Sequence, residues 1–503
     1  MKKFLTKVLS MLLAVCMLAG IPAVRSEAAV GDRGVDVSKW QGPVDWNAVA
    51  QSGVSFAFIK VGSLKSGIDE YFYYNMLAAQ AAGIKTGVYI YSYATSVEEA
   101  AVEAQFVLNA IQNVQVSYPV VWDVEDKVQK QLSPETLSMM ANTFCAIIEA
   151  EGYYPMVYAN KTWFTTKIGA VFYDKWVAQW ADRCDIPDAA VWQYSSTGAV
   201  PGINGSADMN IALKDFSTSI VQNGWVARKG FFHYYIDYKM QRGWLDLGTA
   251  RYYLDAAGRM VTGWLLLDTG VYFMQPDGIM SVGFTPIGQG MYYFDANGNM
   301  QTGLQNIGGL SFFFAPEGPM YTGFFAFPDG TRFFAADGHM VTGFNPIGDY
   351  YHYFDENGIM QIGWQTLGGQ RYYFDAAGVM QTGLQIVDGK TYLFDAAGVM
   401  QTGLQAIGGK LYLFDADGHM VTGAYQMNGL SYLFAADGSM YTGWFNDGLT
   451  VKYYETDGHM AIGLVTIGDG VYYFDANGNM QTGLVDVAGT PLLFDVDGRL
   501  LLP

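Results

Sequence analysis

The chain has little cysteine, histidine or positive charge. Its 503 residues include 3 Cys, 5 His, and 28 Lys and Arg against 47 Asp and Glu, giving a formal charge of −19. Three cysteines cannot build a disulfide scaffold. Nucleic-acid-binding proteins present basic surfaces, so the charge argues against that class. Beyond the N-terminus no apolar run approaches the roughly 18 residues of a membrane-spanning helix, which excludes a polytopic membrane protein.

Apolar and aromatic residues are abundant. The composition is 51% apolar and 16% aromatic, with 60 glycines. Disordered chains lack this much apolar surface, so disorder is excluded. The length suggests about three domains. So much glycine together with so many aromatic residues is unusual for one globular enzyme and indicates repeats.

Residues 1–28 are typical of a secretory signal. Lys2, Lys3 and Lys7 precede a nearly all-apolar stretch at 8–23, and small residues stand at Ser26 and Ala28. This pattern predicts a secreted protein that leaves the membrane after cleavage, with an uncleaved anchor as the alternative. Of the remaining cysteines, Cys145 falls on the apolar face of a predicted helix. A buried free thiol is therefore favoured over a disulfide with Cys184.

The second half of the chain is a strict repeat. Met recurs every 20 residues from Met240 to Met480, and residues 244–503 make 13 units of 20. A degenerate unit at 225–243 and a linker at 217–224 come before them. Each unit has an aromatic strand followed by an Asp-x-x-Gly turn, as in 292–298. We expect the segment ending in Met to pair with the aromatic strand as a hairpin, and the hairpins to stack into a β-solenoid.

The charge is concentrated in these repeats. The 13 units hold 8 Lys and Arg against 25 Asp and Glu, whereas the first 243 residues hold 20 and 22. Most of the acids in the repeats lie at turns, where Asp is favoured by backbone geometry. Together they predict a surface that attracts cations and repels polyanions.

The repeats resemble the cell-wall-binding repeats of choline-binding proteins and the related repeats of glucan-binding enzymes and clostridial toxins. The resemblance rests on the Gly-Trp, Tyr-Tyr-Phe-Asp, Gly-x-Met and Thr-Gly elements. It implies that quaternary ammonium groups bind between aromatic rings, or that the repeats bind a glucan. The second Trp of the family pattern is replaced, by Arg251 and Arg371 among others. The candidate ligand-binding residues are Trp244, Trp264, Trp364, Trp444, Tyr252 and Tyr372.

Residues 31–216 alternate extended apolar runs with helical patterns. Eight runs are separated early by helices predicted at 45–51, 69–82, 97–111 and 134–150, the last opened by Ser133 and Pro134. Eight strands with intervening helices predict a (β/α) barrel. The last three connections are too short for full helices, so the barrel is expected to be irregular.

Four acids stand on the predicted strands. They are Asp36 on the first strand, Asp123 and Glu125 at the end of the fourth, and Asp208 at the start of the eighth. Barrel enzymes build their sites at the carboxyl ends of strands, so these acids are expected to converge. The spacing of Asp123 and Glu125 places both on one face, where their proximity is expected to raise the pKa of one acid and favour its protonated form. A protonated acid beside an ionised one is what glycosidic cleavage requires.

The motifs Gly-Val-Asp-Val-Ser at 34–38, Pro-Val-Val-Trp-Asp-Val-Glu at 119–125, Trp-Gln-Tyr at 192–194 and Asp-Met-Asn at 208–210 are similar to those of family 25 glycoside hydrolases. The resemblance implies a muramidase that cleaves the β-1,4 bond after N-acetylmuramic acid in peptidoglycan. It makes Glu125 the general acid and Asp123 the residue that orients the acetamido group or stabilises the oxocarbenium-like centre. Asp36 and Asp208 would complete the acidic floor. Either Asp123 or the acetamido oxygen could be the nucleophile.

Other strand ends supply candidate groove residues: Tyr91, Tyr93, Tyr158, Trp180 and Gln193, with Lys60 as the partner of an acid. Core packing is the alternative for each aromatic residue. All five His lie in the repeats, and three of them precede a repeat Met at an expected exposed turn, so no metal or cofactor is predicted. The sequence thus predicts a secreted, cell-wall-associated muramidase. The alternative is a wall- or glycan-binding adhesin that lacks activity.

Overall fold

The computed structural model describes residues 29–501. The predicted signal at 1–28 lies outside the described residues. No helix within 29–501 is long and apolar enough to cross a membrane. The described chain divides into two compact units. One runs through Ile287 and includes Tyr293–Met300, and the other consists of Gly288–Tyr292 and continues from Gln301.

The first unit begins with a closed barrel. Its strands are β1 (Arg33–Val37), β2 (Val54–Ser63), β3 (Gly67–Ile68), β4 (Lys85–Tyr91), β5 (Val120–Asp123), β6 (Pro155–Asn160), β7 (Asp174–Ala178), β8 (Ala189–Gly198) and β9 (Ala207–Ala212). Its helices are α1 (Trp46–Gln51), α2 (Phe72–Ala81), α3 (Val97–Ile111), α4 (Pro134–Ala150) and α5 (Lys161–Thr166). Two short 3₁₀ helices span Lys39–Gln41 and Lys127–Gln129.

The barrel closes through β1, which pairs with both β2 and β9. From β1 through β8 the neighbouring barrel strands are parallel, with β3 added as a short antiparallel edge to β2. β9 runs antiparallel to both of its neighbours. The prediction of an irregular barrel is therefore confirmed, and the short last connections explain the reversed strand.

Alternation along β2 separates two cores. Phe56 and Phe58 point into the barrel, where Phe58 stacks on Trp176 of the distant β7 with ring centroids 4.3 Å apart. Ala57 and Ile59 belong to the outer core, against the helices. Lys60 follows Phe58 with the same period of two and so faces the interior at the carboxyl end of the strand.

Helix α4 begins and packs as its sequence predicts. The Ser133 hydroxyl accepts from the Thr136 N–H at 3.2 Å, and Pro134 is the first helical residue. The buried face includes Phe144, Ile148 and Cys145, each fully buried. Cys145 and Cys184 are both free thiols, as favoured.

Beyond the barrel, the described strands form one three-stranded sheet and then a series of two-stranded hairpins. The first three are β10 (Gly224–Arg228), β11 (Phe231–Ile236) and β12 (Lys239–Met240), which form one sheet. The later strands are Gly243–Asp246, Arg251–Leu254, Gly263–Leu267, Gly270–Met274, Gly283–Ile287, Gly290–Phe294, Gly303–Ile307, Leu310–Phe314, Gly323–Phe327, Gly330–Phe334, Gly343–Ile347, Tyr350–Phe354, Gly363–Leu367, Gln370–Phe374, Gly383–Val387, Lys390–Phe394, Gly403–Ile407, Lys410–Phe414, Gly423–Met427, Leu430–Phe434, Gly443–Asn446, Val451–Tyr454, Gly463–Ile467, Gly470–Phe474, Gly483–Val487 and Thr490–Phe494.

The hairpins differ in phase from the prediction. In the unit at 363–382, Gly363–Leu367 pairs with the aromatic strand Gln370–Phe374, so the hairpin lies before the Asp-x-x-Gly turn. The residues after that turn were expected to form the second strand, but Met380 makes only an isolated bridge with Phe374. The reason is that the Met380 N–H donates to Tyr351 O of the preceding hairpin, at 2.8 Å.

The repeats bury one column of side chains. The residue before each turn is at most 4% exposed, from Leu254 and Met274 through the Phe and Tyr residues that follow to Phe494. The turn itself is as predicted: at 375–378 the Gly378 N–H donates to Asp375 O, and the Asp375 carboxylate accepts from two further backbone N–H groups. A lone hairpin is marginally stable, so burial between neighbouring hairpins stabilises the array.

The first repeats pack on the barrel within the first unit. The Tyr235 hydroxyl and the Arg228 guanidinium both donate to Gly152 O, at 2.8 and 3.2 Å. Arg242 pairs with Glu151 at 3.1 Å. In sequence, residues 217–224 connect the barrel to these repeats, and Phe216 just before them is buried. The predicted domain boundaries at 216 and 225 stay a prediction.

Candidate active site

The four predicted acids line one cavity of about 400 Å³ at the barrel mouth. Its walls are formed by Asp36, Val37, Ser38, Trp40, Gln41, Lys60, Tyr89, Tyr91, Asp123, Glu125, Tyr158, Trp176, Trp180, Gln193, Ser196 and Asp208. Because β9 is antiparallel, its first residues lie where the other strands end, which brings Asp208 opposite Asp36 in register. The convergence expected from the sequence is present.

Asp36 and Asp208 form a carboxyl pair. Burial and the nearby charge of Asp208 raise the pKa of Asp36 to about 7. Burial also raises the pKa of Asp208, although its hydrogen bond with Asp36 acts in the other direction. Both shifts favour the protonated acid, because two facing carboxylates in a buried site repel each other.

Two amides fix the orientation of Asp36. Its Oδ2 accepts from Gln193 Nε2 at 2.9 Å and from Asn210 Nδ2 at 2.8 Å. Gln193 in turn accepts from the Tyr158 hydroxyl, and Asn210 accepts from the Trp176 indole N–H at 2.7 Å. All of these side chains are buried. The acid is thus held by a network that spans strands β1, β6, β7, β8 and β9.

Asp123 and Glu125 face the cavity together, although β5 ends at Asp123. Burial, followed by the charge of Glu125, raises the pKa of Asp123 well above its usual value. Burial, followed by the charge of Asp208, raises the pKa of Glu125. Among the described residues, no donor reaches the buried Asp123 Oδ1. The site therefore has an acid that favours its protonated form and an unsatisfied buried acceptor beside it.

Lys60 acts on these acids through space. Its charge lowers the pKa of both Asp123 and Glu125, against the effect of burial. Its Nζ lies 4.8 Å from the centroid of the Tyr91 ring and 5.9 Å from that of Tyr89. Among the described residues it forms no ion pair within 4.0 Å, so it influences the two acids over a longer distance, from its place in the cavity wall. Tyr91 instead donates to the Asp126 carboxylate at 3.0 Å.

The other predicted groove residues divide by position. Tyr91, Tyr158, Trp180 and Gln193 line the cavity. Tyr93 does not: it packs beside Tyr91, with Lys65 4.9 Å from its ring centroid. Tyr93 follows Tyr91 by two residues, but the strand ends at Tyr91, so the alternation that brings Tyr89 and Tyr91 to the cavity does not extend to Tyr93.

Sequence reasoning missed several residues that line the cavity or hold its acids. Asn210 follows Asp208, and Tyr89 precedes Tyr91, each by two residues, so the strand period would have found both. Trp176 contributes its N–H from inside the barrel and carried no separate signal. Trp40 is 80% exposed and Trp180 is 67% exposed. Two such exposed indoles at a cavity rim are suited to stacking on a ligand face.

The aromatic residues predicted for ligand binding in the repeats lie in small ring clusters. Trp244, Trp364 and Trp444 each contact the Tyr opposite them in the hairpin and a Tyr of the next hairpin. Trp264 contacts Phe273, Tyr252 contacts Trp225, and Tyr372 contacts Phe344.

The three histidines that precede a repeat Met are half-buried, not exposed as expected, because each contacts a turn aspartate. One of them, His419, lies with Asp415 and Asp417 in a group whose ligand atoms are within 4.8 Å of one another. Each histidine side chain thus adds a contact to the aspartate of its own turn. In the turn of His419, the Asp415 carboxylate also accepts the His419 backbone N–H at 2.8 Å.

Comparison with known proteins decides the family. The model described as "Glycosyl hydrolases family 25" matches residues 35–203. The uncharacterized protein YegX of Escherichia coli (strain K12) is 32% identical over 200 residues, which cover 38% of this chain and 72% of YegX. The chain belongs to glycosyl hydrolase family 25. It is a glycoside hydrolase, and the four acids lie within or next to the matched region.

Two lysozymes are also similar to this chain. Lysozyme M1 of Streptomyces globisporus is 30% identical over 197 residues, covering 36% of this chain and 67% of that protein. A bacterial lysozyme structure from Streptomyces coelicolor is 28% identical, covering 37% of this chain and 93% of that one, with a TM-score of 0.33. This family 25 hydrolase carries C-terminal repeats as well. "Choline-binding repeat" matches lie at 341–380, 361–400, 381–422 and 421–463, and a "Putative cell wall binding repeat" at 462–480.

Proposed function

We propose that this family 25 hydrolase is a secreted muramidase that cleaves the β-1,4 bond between N-acetylmuramic acid and N-acetylglucosamine in peptidoglycan. The observation that carries the proposal is the carboxyl cluster at the barrel mouth, in which two acids with raised pKa values face one cavity. The lysozymes among its relatives support the same reaction. Secretion rests on the sequence of residues 1–28.

Glu125 is the proton donor in this proposal. It is half-buried at the cavity wall, and its raised pKa keeps it protonated to higher pH than an exposed glutamate. It protonates the glycosidic oxygen as the bond to the leaving sugar breaks. Asp123, with its unsatisfied Oδ1, accepts the acetamido N–H of the substrate or stabilises the positive charge that develops at the sugar ring. Asp36 and Asp208 close the acidic floor and bind water or sugar hydroxyls.

The repeats hold the enzyme on the cell wall. Their ring clusters are suited to quaternary ammonium groups, as carried by a choline-bearing teichoic acid, and the acidic surface favours such cations. Several weak sites on one chain raise the local substrate concentration for the barrel. A glucan is the alternative ligand, and it would bind without competition from free choline.

The bond that is cleaved can be read from the products. Purified peptidoglycan is digested with wild type and with Glu125→Gln, and the new reducing ends are reduced and identified by mass spectrometry. We expect N-acetylmuramitol ends from wild type and a rate about 10²–10⁴-fold lower for the variant. N-acetylglucosaminitol ends, or equal rates, would overturn the proposal. The exposed Glu135, changed to Gln, is the matched control and should cleave as wild type does.

A further inference from the structure

Three tryptophan clusters in the repeats have nearly the same geometry. The ring centroid of Trp244 lies 5.2 Å from Tyr253 and 4.9 Å from Tyr272. In the cluster around Trp364 the corresponding distances are 5.1 and 4.8 Å, and around Trp444 they are 5.1 and 4.9 Å. Each ring meets its neighbours edge-on or tilted, so part of the indole face is left for another contact.

The clusters differ in what covers that indole. Two residues before the tyrosine that faces Trp244 stands Arg251, and Arg371 holds the same place beside Trp364. Each guanidinium carbon lies 4.4 Å from the centroid of its Trp ring. At the same place in the clusters of Trp264 and Trp444 stand Val271 and Val451. Valine carries no charge and is too short to cover the ring.

Exposure follows this difference. Trp264 is 47% exposed and Trp444 is 44% exposed, whereas Trp244 and Trp364 are half-buried. Among the described residues, neither the Arg251 nor the Arg371 side chain has an ion pair or a side-chain hydrogen bond within bonding distance. Arg371 also acts on the next ring of its cluster, because its charge opposes the burial that raises the pKa of Tyr392. The contacts of these two guanidinium groups are thus with the rings of their clusters.

A cation held against an indole excludes a second one. It occupies the ring face that attracts positive charge, and it repels a ligand cation at short range. We propose that Arg251 and Arg371 are built-in cations that close their tryptophan clusters to quaternary ammonium ligands, and that the cluster of Trp444, where valine stands in place of arginine, is open to them. The inference rests on the proposed function, in which the repeats take such a ligand, and it assigns the two arginines as specificity-determining residues.

The test counts ligand sites on the full chain by calorimetric titration with choline. The double variant Arg251→Val, Arg371→Val removes both guanidinium groups and installs valine, the residue that stands at the same place in the cluster of Trp444. It should bind about two more choline molecules per chain than wild type, and Val451→Arg about one fewer. Lys410→Val removes a positive charge that pairs with Asp437 outside these clusters, and it should match wild type. Near-ultraviolet circular dichroism confirms that each variant is folded.

The outcomes separate this inference from the proposed function. If wild type binds choline and the double variant binds no more, the arginines do not close their clusters, while choline anchoring stands. If only the double variant binds choline, closure is supported and choline anchoring of the wild type fails. Val451→Arg that retains every wild-type site overturns the inference, as does a folded double variant that binds no choline.

Discussion

The contacts that stabilise the barrel join residues far apart in sequence, whereas those that stabilise the repeats join neighbouring repeats. In the barrel, Asp36 is held by Gln193 and Asn210, 157 and 174 residues away. In the repeats, Met380 bonds to the preceding hairpin, and the Met360 side chain packs under Gly378 of the next turn. A change in the barrel therefore disturbs a network drawn from the whole domain, whereas a change in a repeat disturbs its neighbours.

Aspartate serves opposite purposes in the two regions. In the barrel, burial raises the pKa values of Asp36 and Asp123, which shifts the protonation of both acids to higher pH. In the repeats, hydrogen bonds from Ser439 lower the pKa of the turn residue Asp437 to about 2. The first environment prepares proton transfer, and the second fixes a turn with an acid that stays ionised. The same residue type thus marks chemistry in one region and backbone geometry in the other.

The largest difference between the barrel and the repeats should come from replacing one tryptophan in each with alanine. Trp176→Ala leaves a cavity against Phe58 and takes away the N–H that orients Asn210. We expect a loss of about 3–5 kcal/mol in the free energy of barrel unfolding and loss of hydrolysis of soluble peptidoglycan fragments. Trp444→Ala, in the repeats, should hydrolyse the same fragments as wild type does and bind walls less well. Equal loss of fragment hydrolysis in both variants would contradict the separation.

Replacing a turn glycine in the repeats should change stability by an intermediate amount. Gly378 has φ +75°, and a Cβ there would lie 2.5 Å from Met360 Sδ. Gly378→Ala should destabilise the repeats by about 1–3 kcal/mol, through backbone strain and displacement of the methionine. Thermal unfolding of the full chain measures this, and fragment hydrolysis should not change. Gly383→Ala, with φ +69° and open space, carries the strain alone and should lose less.

A pH-dependent stability difference is the smallest effect that we expect. Because the pKa of Asp36 is raised to about 7, the folded protein binds a proton at Asp36 more tightly than the unfolded chain does. The resulting stabilisation is fully present below about pH 4 and is lost as the pH rises through 7. Asp36→Asn keeps the acceptor for Gln193 and Asn210 and keeps a donor toward Asp208. Its melting temperature should exceed that of wild type at pH 8, by about 2–4 °C per kcal/mol, and the difference should shrink toward pH 4.

Asp182→Asn, an exposed change in the same domain, is the control for that series. Its melting temperature should follow that of wild type across the pH range. If the difference between Asp36→Asn and wild type stayed constant from pH 4 to pH 8, folding would not raise the pKa of Asp36.

The sequence predicted what depends on local pattern. Helix α4 begins at Pro134 and ends at Ala150 as expected, because the cap and the apolar face are both local signals. The four acids were found because an acid within an apolar strand is rare. The hairpin phase was wrong, because the bond from Met380 to the preceding hairpin cannot be seen within one unit. Trp176 was missed because its role depends on an indole N–H that reaches across the barrel interior.

The central claim is that the barrel performs the chemistry and the repeats only hold it to the wall. Free choline, added to the full-length enzyme, tests this on two substrates: intact choline-bearing walls and soluble peptidoglycan fragments. The account predicts that choline slows wall clearing and leaves the rate of fragment hydrolysis unchanged. Slower fragment hydrolysis at the same choline concentration, or wall clearing that choline does not affect, would contradict it.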